Sequence, residues 1–138
     1  MSTPLRVIRT EAAPAPVAGA PYSQAITADP GVLVFVSGQV PVDPATGRLV
    51  ADDIAVQTRQ ALANVAGVLA GAGATLANVV KSTVFLTDLA GDFAAMNAVW
   101  EQWVVPGQTP ARATVEAKLA APEYRVEIQV IAATPVAA

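Results

Sequence analysis

The spacing of apolar and polar positions predicts a series of short strands interrupted by two helices. Leu5 to Arg9 reads as a strand and leads into a Pro/Ala-rich stretch, Ala12 to Pro21, which cannot be helical throughout because proline lacks a backbone N–H. A weak strand around Ala25 to Thr27 and an apolar strand at Val32 to Val36 flank the turn signal Pro30-Gly31, which predicts a hairpin. Asp43-Pro44 and Thr46-Gly47 punctuate a loop. Asp52 or Asp53 then caps a helix over Ile54 to Ala70, with Ile54, Ala61, Leu62, Val65, Val68 and Leu69 on one buried face and Gln57, Arg59, Gln60 and Asn64 on the surface. Gly71 and Gly73 end that helix. Val79 to Thr87 alternates and is rich in β-branched residues, as a strand is, and Asp88 and Gly91 break it. A second helix covers Asp92 to Trp103, with Trp100 and Trp103 as core or interface. Two strands, Arg112 to Leu119 and Arg125 to Ala132, follow and read as a hairpin through the turn at Pro122.

After the arm the predicted order is ββ-α-β-α-ββ, an α+β domain in which a mixed sheet carries helices on one face. Alternation in the last pair puts Arg112, Thr114, Glu116 and Lys118 on one face and Ala113, Val115, Ala117 and Leu119 on the other. The partner strand opposes Arg125, Glu127 and Gln129 to Val126, Ile128 and Val130. The expectation is one polar face, turned away from the helices, that holds both Arg112 and Glu127. Two readings of it stand: a solvated sheet face with cross-strand ion pairs, or a site.

Composition narrows the chemistry. The 138 residues suit a single domain over 1–138, with 1–20 as strand and arm. Hydrophobic residues make up 54% and charged ones 14%, so part of the apolar surface is expected to meet another subunit. The net charge of -3 and only eight basic residues speak against nucleic acid as a partner. With no cysteine and no histidine, the chain has no thiolate nucleophile, disulfide, imidazole base or Cys/His zinc site. The longest strongly apolar run, Val32 to Val36, is too short to span a membrane, and the N-terminus shows no basic region followed by an apolar stretch; the expected location is cytoplasmic.

Among the groups that remain, Arg112 is the best candidate. Pro110-Ala111 restrains the backbone just before it, and a guanidinium fork pairs both oxygens of a carboxylate while staying charged. Around it the motifs Pro21-Tyr22-Ser23-Gln24, Ser37-Gly38-Gln39, Gln57-Thr58, Ala61-Leu62-Ala63-Asn64-Val65, Val79-Val80-Lys81-Ser82-Thr83-Val84-Phe85-Leu86, Asn97, Pro110-Ala111-Arg112 and Val126-Glu127-Ile128 occur in order. In that order and spacing the chain resembles the Rid family of reactive intermediate deaminases, also called the YjgF or L-PSP family, from about Ala13 to Ala133.

The resemblance implies a chorismate-mutase-like fold, a homotrimer with a central barrel of sheets, and active sites in clefts between subunits. It implies hydrolysis of enamines and imines of amino acids, such as 2-aminoacrylate, to the 2-keto acid and ammonia, with no metal and no organic cofactor. Carried over residue by residue, Arg112 would clamp the substrate carboxylate and Glu127 would handle the attacking water and the departing nitrogen. Tyr22 would line the pocket, Ser37 would offer a hydroxyl near the ligand, and Asn97 a supporting amide. Thr114 matches a position that is often cysteine, whose backbone carbonyl orients water. Departures from the family pattern are Ala20 in place of a glycine, a short loop at Val104 to Thr109, and Gln129 in place of a second glutamate. Three functions are compared: a general 2-imino acid deaminase, a pathway-specific deaminase with a larger substrate, and a carboxylate-binding trimer without catalysis, which would need Arg112 but not Glu127. A ribonuclease reading has little physical support in an acidic chain without histidine.

Overall fold

The structure is a computed structural model that describes residues 5–14, 21–29 and 31–134; Ala20, Pro30 and most of the Ala/Pro stretch lie outside the described residues. Two short strands, β1 (Arg6–Ile8) and β2 (Ala25–Thr27), pair antiparallel with each other. The main sheet comprises β3 (Val32–Gln39), β6 (Val79–Leu86), β7 (Ala111–Glu116) and β8 (Val126–Thr134) in the order β3-β8-β6-β7. β8 runs antiparallel to both neighbours, and β7 runs parallel to β6. The loop expected after β3 contains a small antiparallel pair, β4 (Val42–Asp43) and β5 (Arg48–Leu49), turned by Gly47 at φ 70°.

Both helices form where the periodicity predicts them. α1 spans Ile54–Gly71, and the Asp53 carboxylate accepts from the Val56 N–H at 2.9 Å, which satisfies one of the free donors of the first turn. α2 spans Leu89–Trp103 and starts three residues earlier than predicted, because Asp88 serves as its cap and accepts from the Gly91 N–H at 3.0 Å. Gly91 therefore lies inside the first turn, where its missing Cβ leaves room for the Asp88 carboxylate. The two helices pack on one face of the sheet, as expected. Leu62, Val65 and Leu69 from α1 and Met96, Val99 and Trp100 from α2 bury against Val36, Val84, Leu86, Ile128 and Val130. Truncating a fully buried side chain such as Trp100 to alanine would cost about 3–5 kcal/mol. Among the described residues no helix is long and apolar enough to cross a membrane.

Three expectations are corrected. The strands β2 and β3 do not form a hairpin: β2 pairs with β1, and β3 pairs with β8. The strands β7 and β8 are not a hairpin either, because β6 lies between them. Gln57, expected on the surface, is fully buried; its side-chain N–H groups donate to the Ala51 and Glu123 carbonyls at 2.8 and 3.1 Å, and its Oε1 accepts from the Arg125 N–H at 2.8 Å. It ties the first turn of α1 to the segment that enters β8. Beside it the Arg125 guanidinium reaches Asp52 at 2.8 Å and Asp92 at 3.4 Å, which links the starts of both helices to that segment.

Candidate active site

Strand pairing sets which side chains share a face. Directly paired residues project to the same side of a sheet, and the register couples Ser82 to Arg112, Val84 to Thr114 and to Ile128, and Phe85 to Val115 and to Glu127. Val84 and Ile128 are fully buried under the helices. Arg112 and Thr114 therefore face the helix layer, whereas Glu127, Phe85 and Val115 face the open side. This reverses the expected faces of β7: Arg112 and Thr114 leave the polar outer face, and Val115 takes it, 41% exposed. Within one chain Arg112 and Glu127 lie on opposite sides of the sheet.

On the helix side, the sequence builds a walled position for the guanidinium. The Trp100 indole N–H donates to the Pro21 carbonyl at 2.9 Å, and Ser23 anchors to the strand start through its N–H to Pro110 O at 3.1 Å and its hydroxyl to Thr109 O at 2.6 Å. Tyr22, held between these two anchors, lies with its ring centroid 5.6 Å from Arg112 Cζ. The Trp100 ring lies at 5.2 Å and the Phe93 ring at 5.9 Å. Three aromatic faces thus surround one cation, an arrangement that offsets part of the cost of removing it from water. Burial pushes the Arg112 pKa below its ordinary value to about 10, partly countered by Tyr22 and Glu101, so the group stays charged at neutral pH.

Three buried side-chain atoms in this region have no hydrogen-bond partner: Arg112 Nη1, Thr114 Oγ1 and Asn97 Oδ1. Asn97 stands four residues after Phe93 and three before Trp100, which places it on the helix face that carries both rings. Buried polar atoms are nearly always paired, so each of these atoms calls for a partner that the chain itself does not supply, such as water or a polar ligand. A cavity of about 490 Å³ opens at Arg112, lined also by Tyr22, Ser23, Gln24, Lys81 and Ala13.

On the open side, β3 carries a bulge. Val36 pairs with Val130 and Gln39 with Ile128, so one extra residue is inserted at Ser37-Gly38. The Glu127 side chain lies directly over Gly38: a Cβ there would stand 2.2 Å from Oε2 and 2.7 Å from Cδ. Only glycine leaves space for the carboxylate in this position. Ser37 is exposed next to it. Leu33 and Phe35, 48% and 70% exposed, continue the same strand and make this face apolar.

The predicted site residues thus form two groups: Tyr22 and Arg112 line the cavity, with Thr114 and Asn97 on the same helix side of the sheet, whereas Ser37 and Glu127 lie on the open side. Sequence reasoning missed Phe93 and the role of Gly38. Phe93 was legible from its spacing to Trp100, and Gly38 from its place beside Ser37, a predicted ligand residue.

Comparison with known proteins gives the family of the chain. Residues 10–134 match the family model described as Endoribonuclease L-PSP. The chain belongs to the Rid (YjgF/L-PSP) family. It is 42% identical over 129 residues to the 2-iminobutanoate/2-iminopropanoate deaminase of Salmonella typhimurium, covering 92% of this chain and 96% of that one. A goat protein of the same name is 41% identical, covering 92% of this chain and 88% of its own. Among solved structures, a Rid family protein from Yersinia pestis superposes with a TM-score of 0.84 at 32% identity, covering 94% of this chain and 98% of that one. At the family level this Rid protein is related to imine deaminases, and its two-helix mixed sheet is the fold of its relatives.

Proposed function

We propose that this protein is a hydrolytic deaminase of small 2-imino acids and their enamines, releasing the 2-keto acid and ammonia. The observation that carries the reading is Arg112: a charged guanidinium, walled by three aromatic rings, with Nη1 buried and unpaired, on a residue that lines a cavity of about 490 Å³. Such a group is costly to build and suits the carboxylate of a substrate. The names of the Salmonella and goat relatives support the choice of imines as substrates.

Because Arg112 and Glu127 lie on opposite faces of one sheet, a site that uses both needs two copies of the chain. The exposed Leu33, Phe35 and Val115 on the Glu127 face supply the apolar surface for that association, which we read as a homotrimer. In the composite cleft Arg112 of one copy holds the carboxylate. The Glu127 carboxylate of the other takes a proton from water as the water oxygen bonds to the imine carbon. That proton passes to nitrogen to give the carbinolamine; Glu127 then carries the carbinolamine hydroxyl proton to the same nitrogen, the C–N bond breaks, and ammonia leaves as the ketone forms. Thr114 and Asn97 supply the remaining polar contacts around the ligand, Tyr22 lines the cleft, and Ser37 presents its hydroxyl beside Glu127.

A carboxylate-binding protein without catalysis is the second reading, favoured by the fact that the Arg112 cavity is formed by one chain without Glu127. The deciding experiment measures keto acid release from imines generated in situ by an amino acid oxidase, with semicarbazide competing for free imine. Acceleration by the intact protein and none by Arg112→Ala or Glu127→Gln supports the deaminase. Binding of a 2-keto acid without any acceleration, unaffected in Glu127→Gln, replaces it with the binding protein.

A further inference from the structure

We propose that Gln24 determines which substrates the Arg112 cavity admits, by fastening residues 10–14 as its outer wall. This rests on the carboxylate-site reading above and adds the residue that limits substrate size. The Gln24 side chain makes four contacts with one stretch of backbone. Its Oε1 accepts from the Thr10 N–H at 2.8 Å, and its Nε2 donates to the carbonyls of Thr10 at 3.2 Å, Ala13 at 3.2 Å and Pro14 at 3.0 Å. An amide has two N–H groups, so at least one is shared between two carbonyls, and the whole donor and acceptor capacity facing this stretch is in use.

Residues 11–14 are exposed and bring no buried apolar side chain of their own. Hydrogen bonds to one half-buried glutamine therefore hold them where hydrophobic packing does not. Ala13 and Pro14 line the same cavity of about 490 Å³ as Tyr22, Lys81 and Arg112. That volume lies in the lower part of the usual range for small-molecule sites, about 300–1,000 Å³. Among its described lining residues Lys81 and Arg112 are the charged ones and none is a carboxylate, which suits an anion. The wall made by 13 and 14 is small and uncharged, so it discriminates by length and bulk rather than by charge. A substrate held by its carboxylate at Arg112 would meet this wall with its side chain once that side chain exceeds a few carbons.

The test uses the full chain and two ligands that share the carboxylate and differ in bulk, pyruvate and 4-methyl-2-oxopentanoate. Their affinities are measured by calorimetry, and in parallel kcat/KM is measured for the imines of alanine and leucine. The wild type favours the smaller member of each pair. Gln24→Ala shifts the ratio toward the larger member by at least about tenfold, the worth of a methylene or more of steric exclusion, and Ala13→Phe shifts it in the opposite direction. Hydrogen exchange at the Thr10 amide becomes faster in Gln24→Ala, since its acceptor is gone. A general loss of stability would lower both affinities together and leave their ratio in place, which overturns the proposal. If Gln24→Ala does not fold, Gln24→Glu, which keeps an oxygen for the Thr10 N–H but has no N–H for the three carbonyls, takes its place and must shift the ratio in the same direction. A wild type that binds neither keto acid and turns over neither imine overturns the carboxylate site itself, whereas an active wild type with an unmoved ratio overturns only the role of Gln24.

Discussion

Replacing Gly38 by alanine isolates the placement of the Glu127 carboxylate from its chemistry. The new Cβ would stand 2.2 Å from Oε2, 2.7 Å from Cδ and 3.0 Å from Cγ, so the carboxylate has to retreat by roughly 1 Å to regain ordinary contact. The clashing atoms are the far end of a flexible side chain, which can rotate away, so the strand itself survives. Alanine also restricts the unfolded chain, a gain of about 0.4–1 kcal/mol where the backbone permits it, and the net stability change is expected to stay within about 1 kcal/mol. Activity is expected to fall much further. A misplacement of about 1 Å lowers the rate by about 100-fold, or ~2.7 kcal/mol in the barrier. The loss should appear in kcat rather than KM, because the carboxylate clamp at Arg112 is untouched. Kinetics of keto acid release by Gly38→Ala, Glu127→Gln and the double variant, each checked by thermal unfolding, complete the cycle. If Gly38 acts only through Glu127, the double variant is no slower than the slower single one. Retention of most of the wild-type kcat by Gly38→Ala, or multiplication of the two losses, would refute the reasoning.

Burial lowers the Arg112 pKa to about 10, below that of the unfolded chain, so the charged group opposes folding at neutral pH and that cost is lost as pH rises through about 10. Anion binding has the opposite sign: pyruvate affinity, followed by calorimetry, should hold from pH 7 to 9 and weaken only above about 10, and a loss of affinity already between pH 7 and 9 excludes Arg112 as the clamp. Phe35→Glu places a charge on the apolar open face, and sedimentation should show the wild type associated and the variant as monomers with unchanged helical circular dichroism. Equal masses for the two proteins would remove that face from the interface. Gln57→Leu strips hydrogen bonds from two carbonyls and one N–H around the entry to β8, which should cost about 3 kcal/mol in denaturant unfolding. A loss below about 1 kcal/mol would mean that water replaces the amide without penalty.

Local pattern carried much of this protein. The three-to-four spacing of apolar residues located both helices, alternation located the strand at Val79–Leu86, and the cap of the first helix was narrowed to Asp52 or Asp53, of which the structure uses Asp53. The ordered motifs, from Pro21-Tyr22-Ser23-Gln24 to Val126-Glu127-Ile128, identified the family that the comparisons support, and residue chemistry singled out Arg112 as a candidate carboxylate clamp. These features are local, or recur as motifs, so they are written along the chain.

The arrangement of the strands is not. Alternation gives the period of a strand but not which of its two faces meets the core, since that depends on the neighbour with which it pairs. β7 and β8 adjoin in sequence yet are separated by β6, because β7 follows α2 back to lie parallel beside β6, a long-range pairing that no local signal records. That single fact turns Arg112 toward Trp100 and Phe93, leaves Val115 outside, and puts Glu127 on the opposite face. Gln57 was misassigned for the same reason, as its amide is buried by backbone groups 6 and 66 residues away rather than by its own helix. The sequence by itself determined most of the elements, the family and the candidate site residues; only the tertiary structure decided their partners and faces, because register and face are set by contacts between residues far apart in the chain.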